Sequence, residues 1–280
     1  MAQGYCMGRR IDEGSAIELG GKTLKFVDAP WLHWPETIFT YLEEDGILFP
    51  CDFFGSHLAD GPFYSDEMGD ELALDMAKLY FAEIMMPFRR QGATAVEKVR
   101  KLGVRMTAPS HGVIWRDPEV ILGPYTAWTG ERMAKKVMIV YVSMWGSTEK
   151  MVKALTDSLV EKGVMVNVFD LTVTEIGHIA KELVDTPVVV VGAPTVLNMM
   201  HPVGAYATLL VKQLRAPTKY TALLTSHGWS GGAVKQVQDI LGNAKIEVLG
   251  VVDPKGPPKQ EHFDQVRELA DKIEEKLKAL

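Results

Sequence analysis

The segment that most restricts this chain is Val137–Val142, six apolar residues in a row that run into Ser143-Met-Trp-Gly-Ser-Thr-Glu-Lys150. After it Met151, Val152, Leu155, Leu159 and Val160 recur at helical spacing. Unbroken hydrophobicity over a strand's length describes a strand buried on both faces, which requires helices on both sides of a parallel sheet. The pattern repeats. Strands are expected at Val137–Val142, Met165–Phe169, Val188–Gly192, Tyr220–Thr225 and Ile246–Val251, alternating with helices at about 149–162, 175–183, 204–214, 233–241 and 260–279. This alternation implies an α/β, doubly wound parallel sheet with right-handed crossovers.

The loop after the first of these strands is rich in Ser, Thr and Gly, so it turns N–H groups and hydroxyls toward one spot at the positive end of a helix dipole. It matches neither G-x-x-x-x-G-K-[ST] nor G-x-G-x-x-G, and a phosphate monoester such as that of FMN suits it better than a nucleoside triphosphate or a dinucleotide. The plain alternative is a helix N-cap at Ser147 or Thr148 with no ligand. Two further loops, Gly192-Ala-Pro-Thr-Val-Leu-Asn198 and Ser226-His-Gly-Trp-Ser-Gly-Gly232, follow the third and fourth strands. In the strand order 2-1-3-4-5 all three loops meet at the topological switch point. The expected flavin-binding residues are Ser143, Met144, Trp145, Gly146, Ser147 and Thr148, then Pro194, Thr195, Val196, Leu197 and Asn198, then Ser226, His227, Gly228, Trp229, Gly231 and Gly232. The glycines would allow close backbone approach, and Trp229 or Trp145 could pack beside a ring. Ordinary turns, and a core or interface role for the tryptophans, are the other explanation.

At 280 residues the chain has room for about two domains. A net charge of −6 without a basic cluster argues against nucleic acid or an anionic membrane surface as partner. Two cysteines, Cys6 and Cys51, are too few for a disulfide framework, and no signal peptide or membrane-spanning run stands out. A soluble, cytoplasmic protein is expected. From Ile17 to about Pro124 the pattern is mixed. Ile17–Val27 alternates around Gly20-Gly21 as a hairpin would, strands are expected at 37–41 and 46–49, and helices at Asp70–Phe81 and Ala93–Leu102, the latter stopped by Gly103. His33, Asp52 and His111 each follow an extended run and lie in a loop. Imidazole and carboxylate together suit iron, zinc or manganese, and a carboxylate can bridge two ions. A turn aspartate and hydrogen-bonded histidines would account for the same residues, and His57, His178, His201, His227 and His262 carry no stronger sign of ligation.

The blocks Leu32-His-Trp-Pro-Glu-Thr-Ile-Phe-Thr-Tyr41, Cys51-Asp-Phe-Phe-Gly-Ser-His57 and Pro109-Ser-His-Gly112, followed by Tyr141–Met151, resemble the flavodiiron proteins, or A-type flavoproteins, in order and spacing. The resemblance implies the C-terminal portion of a metallo-β-lactamase-like αββα domain over 1–132, followed by a flavodoxin-like FMN-binding domain over 133–280. It implies an oxidoreductase reducing O2 to water, NO to N2O, or both, with electrons from rubredoxin, ferredoxin or reduced F420. It also implies a head-to-tail dimer or higher homo-oligomer. His33 and His111 would be terminal ligands of two irons and Asp52 their bridge. The family's H-x-E-x-D-H cluster, which supplies most iron donors, has no counterpart in this sequence. A second polypeptide carrying it is therefore expected; the alternative is an iron-free FMN electron carrier or a docking subunit of a larger redox complex. Other departures are Leu197 and Met199 where the family usually has Asn and Gly, Val142 for Asp, and His227 for Tyr. No rubredoxin-like C-x-x-C pair is present, so electrons would come from a separate carrier.

Overall fold

The computed structural model describes residues 13–131 and 133–280; Cys6 lies outside them. The chain divides into two compact units, Met1–Gly130 and Glu131–Leu280.

In the first unit Ala16–Glu18 (β1) and Thr23–Asp28 (β2) form the expected hairpin, with Gly20 and Gly21 at φ 71° and 109° in its turn. Ile38–Leu42 (β3) and Ile47–Phe49 (β4) continue it antiparallel, and Met106–Thr107 (β5) joins β4 in parallel. Since β2 and β4 both oppose β3, and β5 follows β4, the chain leaves β2, β4 and β5 at one end of the sheet. One sheet face carries the buried Phe39, Tyr41 and Leu48. The other aligns Leu24 with Leu42, Leu42 with Ile47, and Ile47 with Met106, all half-buried, beside Phe49, which is 43% exposed.

The helices of this unit are Ser65–Met68 (α1), Asp70–Tyr80 (α2), Arg89–Leu102 (α3) and Glu119–Thr129 (α4). The Tyr41 hydroxyl donates to the Leu102 carbonyl at the end of α3. As expected, Gly103 ends α3 in the left-handed region, at φ 64°. Two expectations need correction. The chain does not leave the helical path at Phe81: a π-turn, Phe81–Met85, and a 3-10 turn, Met86–Phe88, carry it into α3, which begins at Arg89 rather than Ala93. α4 was not anticipated because Gly123 and Pro124 sit inside it, both poor helix residues. Packing overrides them. Tyr125 and Trp128 of α4 join Phe53, Phe54 and Phe81 in a chain of ring contacts with centroids 4.3 to 5.5 Å apart.

The second unit has five long strands, Lys136–Tyr141 (β6), Met165–Asp170 (β7), Val188–Gly192 (β8) and, after a short hairpin of Thr195–Val196 (β9) and Met199–Met200 (β10), Tyr220–Leu224 (β11) and Glu247–Val252 (β12). They pair in parallel in the order β12-β11-β8-β6-β7, which is the expected 2-1-3-4-5. Five helices alternate with them: Ser147–Glu161 (α5), Ile176–Leu183 (α6), Pro202–Gln213 (α7), Ala233–Leu241 (α8) and Gln260–Lys278 (α9). Val137, Ile139, Val188, Val190, Ala222 and Leu224 share one core with Met151 and Leu155 of α5 and Val266 and Ile273 of α9. Their neighbours Met138, Val140, Val189, Val191 and Leu223 are buried too, on the opposite face. Each such side chain contributes about 2 kcal/mol on burial, so both faces need the apolar runs that the sequence supplies.

Candidate functional site

In the second unit the three expected loops leave β6, β8 and β11 at their carboxyl ends. Gly146, at φ 79°, turns the chain into α5 as its N-cap residue, with no side chain of its own to cap the helix. Ser147 and Thr148 are thus the first residues of α5, and the N-cap alternative for them does not hold. Ser143 takes that part from outside the helix, its Oγ accepting from the N–H groups of Gly146 at 3.1 Å and Glu149 at 3.4 Å. Thr148 is buried against Gly192, where an added Cβ would lie 3.1 Å from its methyl and 2.9 Å from the Tyr141 Cβ. Beside this loop Met144 is half exposed and Trp145 is 90% exposed.

The second loop is the β9–β10 hairpin, with Leu197 and Asn198 both at positive φ, 48° and 65°. Asparagine tolerates that conformation; leucine is strained in it. The hairpin is bound to the third loop: the Thr195 N–H donates to the Ser226 carbonyl at 2.8 Å, Ser230 Oγ donates to Asn198 Oδ1, and a Cβ on Gly232 would lie 1.7 Å from the Asn198 carbonyl oxygen. The glycines therefore differ in purpose. Gly231 and Gly232 are small because protein atoms crowd them, whereas a Cβ at Gly228 meets nothing within 4 Å. Thr195 Oγ1 and Thr225 Oγ1, among the described residues, are buried without a hydrogen-bond partner. Leu197 and Trp229 stand out from the surface. One participant escaped the sequence reading: Asp253, just past β12, whose Oδ1 meets His227 Nδ1 at 2.9 Å. Its place after the fifth strand was the signal that could have found it.

In the first unit His33 follows β2, Asp52 follows β4 and His111 follows β5, so the shared strand direction delivers all three to one end of the sheet. Backbone bonds close the loops on each other, Ser110 N–H to the Cys51 carbonyl at 2.8 Å and Ser56 N–H to the His111 carbonyl at 3.3 Å. Gly112, at φ 79°, could carry no Cβ, which would lie 2.1 Å from Ser56 Oγ. Trp31, Cys51 and Phe54 all hold positive φ, a concentration of strained backbone around this spot. The Asp52 carboxylate reaches both imidazoles: Oδ1 is 3.0 Å from His111 Nε2 and Oδ2 is 3.4 Å from His33 Nε2. Each imidazole takes a different oxygen, and among the described residues no group of three or more His, Cys, Asp and Glu side chains is placed to hold a metal ion.

Around this trio lie side chains that the sequence reading did not single out. Tyr80, buried at the end of α2, packs on His57 at 4.8 Å and His111 at 6.1 Å between centroids. Burial, and then the charges of Asp52 and Cys51, push its phenol well above the usual range. Burial and the Asp52 charge likewise push the Cys51 thiol up. His57 Nε2 faces Glu83 Oε2 at 3.2 Å. Glu83 sits in the π-turn, and no periodicity in the sequence announces such a turn.

Comparison with known proteins gives this geometry its class. Residues 7–112 match the profile of the ODP family beta lactamase and residues 139–269 that of flavodoxin. The chain is 37% identical over 268 residues to a nitric oxide reductase of Moorella thermoacetica, covering 94% of this chain and 67% of the relative. It is 33% identical over 274 residues to a coenzyme F420H(2) oxidase of Methanothermobacter marburgensis, covering 94% and 68%. The structure superposes on the rubredoxin oxygen:oxidoreductase of Desulfovibrio gigas with a TM-score of 0.91 at 28% identity, over 97% of this chain and 69% of that one. The fold is thus a β-lactamase-like portion followed by a flavodoxin-like sheet. The chain belongs to the flavodiiron protein family and spans about two thirds of the length of these relatives.

Proposed function

We propose that this chain is the FMN-dependent part of a flavodiiron-type oxidoreductase that reduces O2 to water or NO to N2O, with a second polypeptide supplying the H-x-E-x-D-H donors of the iron site. The observation that carries the reading is Asp52, whose two oxygens each face a different imidazole nitrogen. A carboxylate bridging two ions needs that disposition. Ligands about 2.1 Å from one ion and at right angles to each other stand about 3 Å apart, close to the spacing seen here. His33 and His111 would each bind one iron and Asp52 both. One imidazole and one carboxylate oxygen per ion leave most of the coordination to donors from elsewhere. The half-buried apolar face of the β1–β5 sheet supports a second layer packed there, since such a face costs free energy when left to water.

Bound iron would supply the reduction of O2 or NO, and bound FMN would accept electron pairs and release them singly. The chain's own part is binding and positioning. Ser143, Ser147, Thr148 and the start of α5 would hold the phosphate; the unpartnered Thr195 and Thr225 hydroxyls and the open backbone at Gly228 leave polar groups for the flavin. Trp145 or Trp229 would cover the ring. Tyr80, kept protonated by its surroundings, can hold a proton beside the iron site without adding charge. Electrons would arrive from rubredoxin, ferredoxin or reduced F420, the first and last of which appear in the names of relatives, and the working form would be a head-to-tail dimer or higher oligomer.

An iron-free FMN electron carrier, or a docking subunit, is the second reading, favoured by the lack of a complete metal-holding group among the described residues. Native mass spectrometry of the untagged protein from its source, with iron and flavin quantified, separates the two. A complex with a second chain, FMN and a pair of irons is expected. FMN without iron or a second chain would leave the carrier, and a colourless protein would sink both.

A further inference from the structure

We propose that His227 and Asp253 form an electrostatic pair that sets the reduction potential of the flavin held by this unit, an inference that rests on the FMN reading above. The pair joins two loops at the carboxyl end of the sheet. The Thr225 N–H donates to the Val252 carbonyl at 2.9 Å, the His227 N–H to the Pro254 carbonyl at 3.1 Å, and the Gly256 N–H to the His227 carbonyl at 2.8 Å. The loop after β11 is thereby zipped to the loop after β12, while its other flank is bound to the β9–β10 hairpin through Ser226 and Ser230.

Within this frame the side chains meet at 2.9 Å, Nδ1 to Oδ1, and are only 19% and 24% exposed. A carboxylate so far withdrawn from water is weakly screened. A carboxylate only accepts, so Nδ1 bears the proton and the tautomer of His227 is set, with Nε2 left as the ring's second polar atom. The backbone is moulded to the pair: a Cβ on Gly231 would lie 3.0 Å from Asp253 Oδ2 and 3.3 Å from His227 Nδ1. The remaining charged residues of the zipped loops, Lys255 and Lys259, are exposed.

Reduction adds negative charge to a flavin, so a nearby carboxylate opposes it and an imidazole that offsets the carboxylate favours it. The two residues therefore act with opposite sign. Removing the charge in Asp253→Asn should raise the midpoint potential, and His227→Ala, which leaves the carboxylate uncompensated, should lower it. If the pair only steadied the loop, Asp253→Asn, whose amide oxygen can still accept from Nδ1–H, would leave the potential unchanged.

The test is a spectroelectrochemical titration of the FMN-loaded full chain, with any chain that copurifies. Expected shifts are at least about 30 mV, a tenfold change in the relative affinity for reduced over oxidised FMN. His227→Leu, which keeps much of the ring's bulk but offers no N–H to the carboxylate, should shift the potential the same way as His227→Ala even if the alanine variant releases FMN. No shift in Asp253→Asn, or shifts of one sign for Asp253→Asn and His227→Leu, would overturn the proposal while leaving FMN binding in place. A wild-type chain that takes up no FMN would overturn that reading and this one together.

Discussion

Gly232 and Gly228 belong to one loop but answer to different constraints. At Gly232 a Cβ would meet the Asn198 carbonyl oxygen at 1.7 Å, and at Gly228 it would meet nothing within 4 Å. Gly232→Ala should therefore cost about 3 kcal/mol in urea unfolding of the flavin-free protein, and Gly228→Ala less than about 0.5 kcal/mol. Weaker FMN binding by the second variant would then come from contact with the ligand. Tyr80 gives a pH-dependent case. Its phenol is held above its ordinary value by burial and by the Asp52 and Cys51 charges. The stability that this represents is whole below about pH 10, the unfolded value, and is lost as pH rises through the folded one. Tyr80→Phe should make the alkaline decline of stability shallower, measured by urea midpoints across that range. The sequence marked both glycines as turn residues. It could not say which faces protein and which faces open space, because that depends on Asn198, a residue brought up by another loop.

At the level of elements the alternation of strands and helices in the second half was legible almost to the residue, since burial on both faces leaves the central strands nearly continuous apolar runs, while the partly exposed edge strands β7 and β12 carry Asn167, Asp170 and Glu247 without losing the pattern. What periodicity missed were features held by tertiary contacts: α4 around Pro124, the β9–β10 hairpin, and the π-turn that presents Glu83. Lys136, the first residue of β6, is another. It is buried at a strand start and pairs with Glu182 and Asp185, each at 2.7 Å. Burial alone would lower the Lys136 ammonium's pKa, but the hydrogen bonds and charges of Asp185 and Glu182 outweigh it and hold the value above the usual lysine range. Removing one partner of such a network leaves the others buried and uncompensated. Lys136→Ala should cost about 3 kcal/mol in chemical denaturation. Lys136→Met, which refills the volume, should cost less than the alanine variant, and an equal loss would refute the packing part of the argument.

For the whole molecule, the two units differ in how completely each buries its own apolar surface. The second has a core on both faces of its sheet, drawn from α5 and α9 on one side. Residues 133–280 expressed alone should unfold in one cooperative step and bind FMN with an affinity within about threefold of that of the full chain, readable by flavin fluorescence quenching; non-cooperative melting would contradict this. The sequence itself determined the alternation of the doubly wound sheet and the loops at its carboxyl edge, and its family resemblance offered His33, Asp52 and His111 as candidate ligands. The first two follow from local patterning, because apolar runs and turn residues act over a few positions. Tertiary structure alone decided that His33 and His111 take different oxygens of Asp52, that Tyr80 and the His57–Glu83 pair stand beside them, and that Asp253 closes on His227. Such contacts join residues far apart in the chain, and only the directions of strands and the packing of helices bring them within bonding distance.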